Sequence, residues 1–207
     1  MPTNRLEAFS DGVMAVIITI MVLDLHVPDG DTFAAFASTL GTGLATYLLS
    51  FVYIGIYWNN HHHLFQIAER TTGAVLWANL HLLLWLSLLP LTTAWMDATG
   101  FARAPVVVYG IDLAAAAIAY WILQQAIIHG EGAGSGLRQA LGRDAKGKVS
   151  PAIYAAAILV ALLVVPHWRA GVWISVACYV AAALLWLVPD RRIERYLAAR
   201  RTESEMT

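Results

Sequence analysis

Three consecutive histidines, His61 to His63, are the residues of this chain whose type most directly offers chemistry. They follow Trp58 in the stretch WNNHHHLF. Imidazoles bind zinc and iron, so one hypothesis is a metal-dependent enzyme. Consecutive residues on a helix point about 100° apart, however, so the three rings cannot converge on one ion, and no HExxH motif accompanies them. We therefore expect no metal and no cofactor, and interpret these residues as a hydrogen-bonded cluster in which Trp58 donates its indole N–H.

A second polar group opens the chain, with Arg5, Ser10 and Asp11 in the stretch RLEAFSDG. The apolar run that follows contains one hydroxyl, Thr19, and only 12 uncharged residues separate Asp11 from Asp24. A lipid-facing span needs about 20 apolar residues. The first helix is therefore expected to be surrounded by protein or to line water.

The apolar face of that first helix has two interpretations. The helical spacing i, i+4, i+7, i+8, i+11 places five residues on one face: Gly12, Val16, Thr19, Ile20 and Leu23. Such a stripe ordinarily packs against another helix. The alternative is a pore in which copies of Val16, Ile20 and Leu23 form a hydrophobic constriction and a ring of Thr19 hydroxyls replaces part of an ion's hydration shell. Because one chain supplies one such helix, a pore requires several copies around an axis.

The elements that must position these residues are membrane-spanning helices. Of the 207 residues, 59% are hydrophobic and 13% are charged, whereas soluble domains have roughly 25% charged residues. The sequence predicts an all-α membrane protein with six transmembrane helices, near 6–25, 34–65, 74–96, 105–128, 151–166 and 171–188. We divide it into a transmembrane domain over residues 1–190 and a basic cytoplasmic tail over residues 191–207.

Charge sets the expected orientation and partners. With the N-terminus inside, 11 of the 13 Lys and Arg residues fall on the inner side, so both termini are predicted to be cytoplasmic in a multi-pass protein of the cell membrane. The net charge of -1 excludes a basic stripe for nucleic acid. The first helix then begins at the end where the second finishes. We expect Arg5 and Asp11 to be tied there to Trp58 and the histidines, with Gly12 allowing close helix approach.

Further polar residues lie within or beside the other predicted spans, namely Asn79, His81, Asp112, Gln124 and Gln125. Such residues commonly join neighbouring helices. The minority interpretation is a substrate path, in which Asp112 and the histidines would serve a proton-coupled carrier.

The two polar groups together resemble the transmembrane protein 175 family of potassium channels. The family pattern of an Arg, a Phe-Ser-Asp, a small or apolar run with a Thr and a final Leu-acidic pair is met by Arg5, Phe9, Ser10, Asp11, Gly12, Thr19, Leu23 and Asp24. The family's Trp-x-x-His-His-x-Leu-Phe segment is similar to Trp58, His61, His62, Leu64 and Phe65.

This resemblance implies a homotetrameric potassium-permeable cation channel whose first helix lines a central pore. Val16, Ile20 and Leu23 would be the constriction, and Thr19 the layer associated with preference for K⁺ over Na⁺. Arg5, Phe9, Ser10, Asp11, Gly12, Trp58, His61 and His62 would form the structural network around it. The first constriction residue is often Ile in relatives and is Val16 here. The chain lacks a TVGYG filter, so we expect moderate selectivity.

Overall fold

The structure, a computed structural model, describes residues 3–132, 135–141 and 145–187, and these residues form helices and no strands. Its elements are α1 Thr3–Leu23, α2 Phe33–Ile67, α3 Gly73–Ala98, α4 Arg103–Glu131, a short α5 Gly136–Leu141, α6 Ala145–Leu163, a 3₁₀ turn Arg169–Gly171 and α7 Val172–Leu187. The all-α prediction is confirmed. The predicted basic tail, residues 191–207, and its boundary at residue 190 lie outside the described residues.

Local sequence signals set several helix ends. The hydroxyls of Thr32 and Thr72 accept hydrogen bonds from the backbone N–H of Ala35 and Val75, at 3.1 and 3.3 Å, which caps the N-termini of α2 and α3. Gly132 has a φ of 76° directly after α4, a conformation that glycine adopts without steric cost. These caps account for helices that begin and end close to the predicted positions.

One predicted boundary is wrong. The sequence places the start of the fifth long helix at Pro151, whereas α6 begins at Ala145 and contains Pro151 in its second turn. The backbone N–H groups of the first helical turn have no partner within the helix. Proline, which lacks this N–H, therefore favours the first turn. In the structure, α6 begins more than one turn before Pro151, and the backbone hydrogen bond that Pro151 cannot donate is absent from its second turn.

Four described helical segments are long and apolar enough to cross a membrane: Thr3–Leu23, Gly73–Ala98, Arg103–Glu131 and Arg169–Leu187. The helix α2 is not among them, and the apolar part of α6, Val149–Leu163, is shorter. By length and composition, four of the six predicted spans are therefore membrane candidates.

The helix α3 lies at the centre of the packing. It contacts α1, α2 and α4, while α4 continues to α6 and α6 to α7, and α7 returns to α2. Leu82 and Leu86 of α3 and Leu113 of α4 are fully buried in the core. In the described part of the chain, the main packing partners of α1 are α2 and α3. It is consequently held at the edge of the bundle.

Candidate functional site

The helix α1 has one buried face and one open face. Its buried residues are Leu6, Ser10, Met14, Ile17 and Met21, which recur at helical spacing and define the side that meets α2 and α3. The predicted stripe lies on the opposite side of the helix because its members are offset from these residues by about half a turn. The folded chain therefore leaves the stripe without a packing partner in the described residues.

All five stripe residues are exposed, namely Gly12, Val16, Thr19, Ile20 and Leu23. The exposed fractions of the three large side chains are 55% for Val16, 44% for Ile20 and 81% for Leu23. A stripe that served packing within the chain would be buried against α2 or α3. The stripe therefore does not pack against the described residues of its own chain. It can contact lipid, water or another copy of the chain.

The single hydroxyl of this face has a fixed orientation. Thr19 donates a hydrogen bond from Oγ1 to the backbone carbonyl of Val16 at 2.8 Å. Because the hydroxyl hydrogen is directed to the helix backbone, the oxygen lone pairs are left for an outside partner. The open face thus offers one acceptor oxygen between apolar side chains.

A buried chain of hydrogen bonds anchors the start of α1. Ser10 donates to the Leu6 carbonyl at 2.9 Å, and the Asn79 Nδ2 donates to Ser10 Oγ at 2.9 Å. The Asn79 Oδ1 lies 2.8 Å from His61 Nε2 and accepts its hydrogen bond, because an amide oxygen cannot donate. Ser10, Asn79 and His61 are all fully buried. We name these three residues the polar anchor, and it joins α1, α3 and α2.

A second contact joins α1 to the end of α2, and it lies nearer the protein surface than the polar anchor. Glu7 Oε1 lies 2.5 Å from His62 Nδ1, and Gln66 Nε2 lies 2.7 Å from His62 Nε2. The His62 and Glu7 side chains are 42% and 23% exposed, so solvent screens this pair. It supplements the polar anchor with a weaker contact.

The predicted tie of Arg5 and Asp11 to the histidines is only partly present. Arg5 is exposed and makes no hydrogen bond or ion pair with the described residues, because it lies on the open face of α1. Asp11 is half-buried and interacts with His61 only electrostatically. Ser10 and Glu7 supply the side-chain contacts that the sequence led us to expect from these charged residues.

Three further predicted network residues lie at the surface. Phe9 is 51% exposed on the open face, and a Cβ added at Gly12 would meet nothing within 4 Å, so Gly12 permits no close helix approach inside the described chain. Trp58 is 48% exposed and stacks on His62, with ring centroids 6.3 Å apart. The indole N–H donates no hydrogen bond within the described part of the chain. Trp58 shares the outward side of α2 with His62, four residues further on.

The first two of the three consecutive histidines contact different partners. His61 contacts Asn79 and His62 contacts Glu7, so the first two rings serve different partners. Among the described residues, no group of three or more His, Cys, Asp or Glu side chains could hold an ion. The divergence of consecutive helical residues, which the sequence argument used, is what separates them.

Two contacting residues received no place in the predicted network. The sequence marks Asn79 as a polar residue in a predicted span, and an amide in the apolar run LWANLHLLLW indicates a buried partner. Glu7 lies four residues before Asp11, and its contact with His62 depends on the rotation of α1. The sequence pattern shows which residues are polar. Which of them contact each other depends on how α1, α2 and α3 pack together.

Comparison with known proteins accounts for both sequence motifs. The model of the family described as the endosomal/lysosomal potassium channel TMEM175 matches residues 5–90, which contain the α1 stripe and the polar anchor. A protein of Chryseobacterium sp. (strain P1-3) named as a potassium channel is 49% identical over 197 residues, covering 95% of this chain and 98% of that protein. A Streptomyces collinus protein, also named as a potassium channel, is 34% identical over 128 residues, covering 58% of this chain and 62% of that protein.

A solved structure shares the fold. The crystal structure titled as a lysosomal potassium-selective channel TMEM175 homolog from Chamaesiphon minutus aligns with a TM-score of 0.74 and 28% identity. The alignment covers 91% of this chain and 97% of that chain. Together with the nearly full-length match to the Chryseobacterium protein, it leaves one conclusion. The chain belongs to the TMEM175 family, whose members are channels rather than enzymes.

Proposed function

We propose that this chain is the subunit of a potassium-permeable cation channel, in which four copies surround a central pore lined by α1. The open stripe of α1 carries the proposal, because Val16, Ile20 and Leu23 are exposed on the side away from α2 and α3. The names of the relatives as potassium channels support the choice of ion.

Lipid is a poor environment for this stripe. The uncharged segment between Asp11 and Asp24 has 12 residues, which at about 1.5 Å per residue is about 18 Å long. The hydrocarbon core of a bilayer is about 30 Å thick. If the stripe faced lipid, one or both carboxylates would enter hydrocarbon at high cost. A water-filled axis between copies places both carboxylates in water.

The stripe supplies the parts of a simple cation pore. Val16, Ile20 and Leu23 would narrow the path and restrict ion passage by dewetting. Thr19 would contribute one hydroxyl oxygen from each copy, and its hydrogen bond to Val16 leaves the lone pairs for a partly dehydrated cation. Because one ring offers far fewer oxygens than a carbonyl filter, we propose a moderate preference for K⁺ over Na⁺.

The surrounding residues hold α1 in that position. The polar anchor fixes the start of α1 against α2 and α3. The residues Arg5, Phe9, Gly12 and Trp58 are exposed at the same end, and we assign them to contacts between copies, with Asp11 beside them. Six spans with both termini in the cytoplasm of a cell-membrane protein agree with the distribution of Lys and Arg.

Flux measurements on the purified protein test the proposal. Liposomes containing the protein are expected to pass K⁺ and Cs⁺ faster than Na⁺ and to exclude Cl⁻, and cross-linking in detergent is expected to give a tetramer. Equal permeability to Cl⁻, or no flux, would contradict the channel. A monomer in cross-linking would remove the shared pore. Saturable transport that depends on a pH gradient would favour the proton-coupled carrier.

A further inference from the structure

A groove lies at the end of the bundle opposite the polar anchor, between two connections of the chain. The connection from α3 to α4 supplies Phe101 and Arg103, and the connection from α6 to α7 supplies Pro166 and Arg169. Its volume is about 460 Å³, which is within the range of about 300–1,000 Å³ typical of small-molecule sites. We name it the arginine groove. No residue of α1 lines it, so it is separate from the proposed pore.

The arginine groove carries two positive charges. Arg103 and Arg169 are both exposed, and neither side chain forms an ion pair or hydrogen bond with the described residues. None of the residues that line the groove is acidic. The acidic residue nearest to Arg103 along the chain is Asp97, whose carboxylate lies beside Gly43 of α2. A guanidinium group presents a planar fork of N–H donors that matches a phosphate. The groove is therefore complementary to an anion.

These two arginines are also the exceptions in the distribution of basic residues. With both termini inside, 11 of the 13 Lys and Arg residues fall on the inner side, and the two that remain are Arg103 and Arg169. Basic residues are depleted on the outer side of membrane proteins. The folded chain brings both exceptions, 66 residues apart in sequence, to one groove. Their convergence indicates a shared ligand.

Aromatic side chains indicate the depth of the groove in the membrane. Phe101 and Trp173 stack in its lining, with ring centroids 4.9 Å apart. Trp173 is 54% exposed, and Trp168, in the same connection, is 55% exposed. Exposed tryptophans concentrate where the membrane meets water, at the level of the lipid head groups. The two arginines therefore lie where lipid phosphates are found.

Apolar side chains beside the groove distinguish a lipid from a dissolved anion. Val165 and Val172 belong to the lining. Next to them along the chain, Leu163 at the end of α6 and Ile174 near the start of α7 are 66% and 44% exposed. A free phosphate would use the arginines alone. A phospholipid would also cover these apolar side chains with its acyl chains.

We infer that the arginine groove binds an anionic phospholipid, whose phosphate contacts Arg103 and Arg169 and whose acyl chains lie along the ends of α6 and α7. Phosphatidylglycerol has this chemistry and serves as the probe. Phosphatidylcholine also has a phosphate, but its choline cation would meet two arginines and no acidic side chain in the lining. The site is independent of the proposed pore, because none of its residues belongs to α1.

Photolabelling tests the inference on the full-length protein in phosphatidylcholine nanodiscs. A small amount of phosphatidylglycerol with a diazirine on one acyl chain is irradiated with the protein, and labelled peptides are mapped by mass spectrometry. We expect labels within residues 162–174. Unlabelled phosphatidylglycerol should suppress them. Glycerol phosphate, which carries the anion without acyl chains, should not suppress them at an equal concentration.

Substitutions of the arginines provide the second part of the test. Arg103→Gln and Arg169→Gln should each reduce labelling of these peptides about fivefold, the effect expected for one basic residue near a charged lipid. Arg103→Lys and Arg169→Lys keep the charge and should retain most of the labelling. Arg70→Gln is the matched control, because Arg70 is exposed after α2 and does not line the groove. Thermal unfolding checks that each variant folds.

Several outcomes would overturn the inference. Labels confined to other surfaces would place the lipid elsewhere, and suppression by glycerol phosphate would identify a site for dissolved anions. Equal labelling by a phosphatidylcholine with the same diazirine would show that the groove does not recognise charge. Unchanged labelling in both glutamine variants, or an equal loss in Arg70→Gln, would show that Arg103 and Arg169 do not hold the phosphate.

Discussion

Two helices of this protein, α1 and α4, are similarly apolar but differ in how much of their surface is buried. In the most apolar stretch of α1, 28% of the residues are buried, compared with 56% in α4. The helix α4 buries Asp112 and Gln124 within the bundle, where Asp112 accepts a hydrogen bond from Thr92 at 3.1 Å. The helix α1 encloses Ser10 in the same way but turns Thr19 outward with Val16 and Ile20.

The difference shows that hydropathy alone does not distinguish a helix buried in the core from a helix with one open face. Both helices are long and apolar enough to span a membrane. What separates them is the packing, since α4 contacts α3, α6 and α7, whereas the main partners of α1 among the described residues are α2 and α3. The contrast can be tested by making equivalent changes in the two helices.

The largest effect is expected from Leu113→Ala in α4. Leu113 is fully buried, and removing such a side chain lowers the free energy of unfolding by about 2–5 kcal/mol. The matched variant is Leu23→Ala on the open face of α1, where the side chain is 81% exposed. It should leave thermal stability nearly unchanged and raise single-channel conductance by widening the dry segment. Higher conductance in Leu113→Ala and none in Leu23→Ala would reverse the assignment of the two helices.

The next effect concerns the polar anchor. Asn79→Leu should remove the hydrogen bonds that Asn79 makes with Ser10 and His61, which lowers the free energy of unfolding by about 1–3 kcal/mol. Loss of this contact should also reduce K⁺ flux, because α1 is no longer held at its start. Asn59→Leu is the control, since Asn59 makes no hydrogen bond among the described residues. Equal stability and flux in the two variants, measured by thermal unfolding and liposome assay, would show that the anchor does not hold α1.

A smaller effect is expected from the hydroxyl layer. Thr19→Val keeps the shape of the side chain and removes its oxygen, so the K⁺/Na⁺ permeability ratio should fall about threefold, a change of about 0.65 kcal/mol. Thr19→Ser retains the oxygen and should preserve the ratio. Bi-ionic reversal potentials measure both variants. A ratio that is unchanged in Thr19→Val would place selectivity elsewhere.

The smallest effect is expected from Glu7→Gln. The contact between Glu7 and His62 is partly exposed, and such pairs contribute about 0.2–1 kcal/mol. The unfolding temperature of Glu7→Gln should therefore lie only slightly below that of the native protein. Added salt should make this difference smaller, because it screens the pair in the native protein. A loss as large as that of Asn79→Leu would mean that this pair, and not the polar anchor, secures α1.

Much of the helical architecture could be predicted from the sequence, and less of the site. Apart from the start of α6, the ends of the six long helices agree with the predicted positions within three residues, because long apolar segments bounded by caps and glycines leave few alternatives. The open face of α1 also followed from helical spacing. The partner of Ser10 did not, because the choice of Asn79 depends on how α1 and α3 are rotated against each other. The charge of Arg5 predicts a tie to the histidines, yet its position on the helix directs it away from them.

The short uncharged segment of α1 has a consequence for how voltage acts on the channel. In a pore lined by α1, water reaches Asp11 from one side and Asp24 from the other, so the membrane potential falls over about 18 Å instead of about 30 Å. In the proposed pore a monovalent ion still exchanges about 2.3 kcal/mol per 100 mV, but it does so between Asp11 and Asp24, the segment that contains Val16 and Leu23. The electric field of the membrane would therefore be concentrated on the segment that carries the proposed constriction.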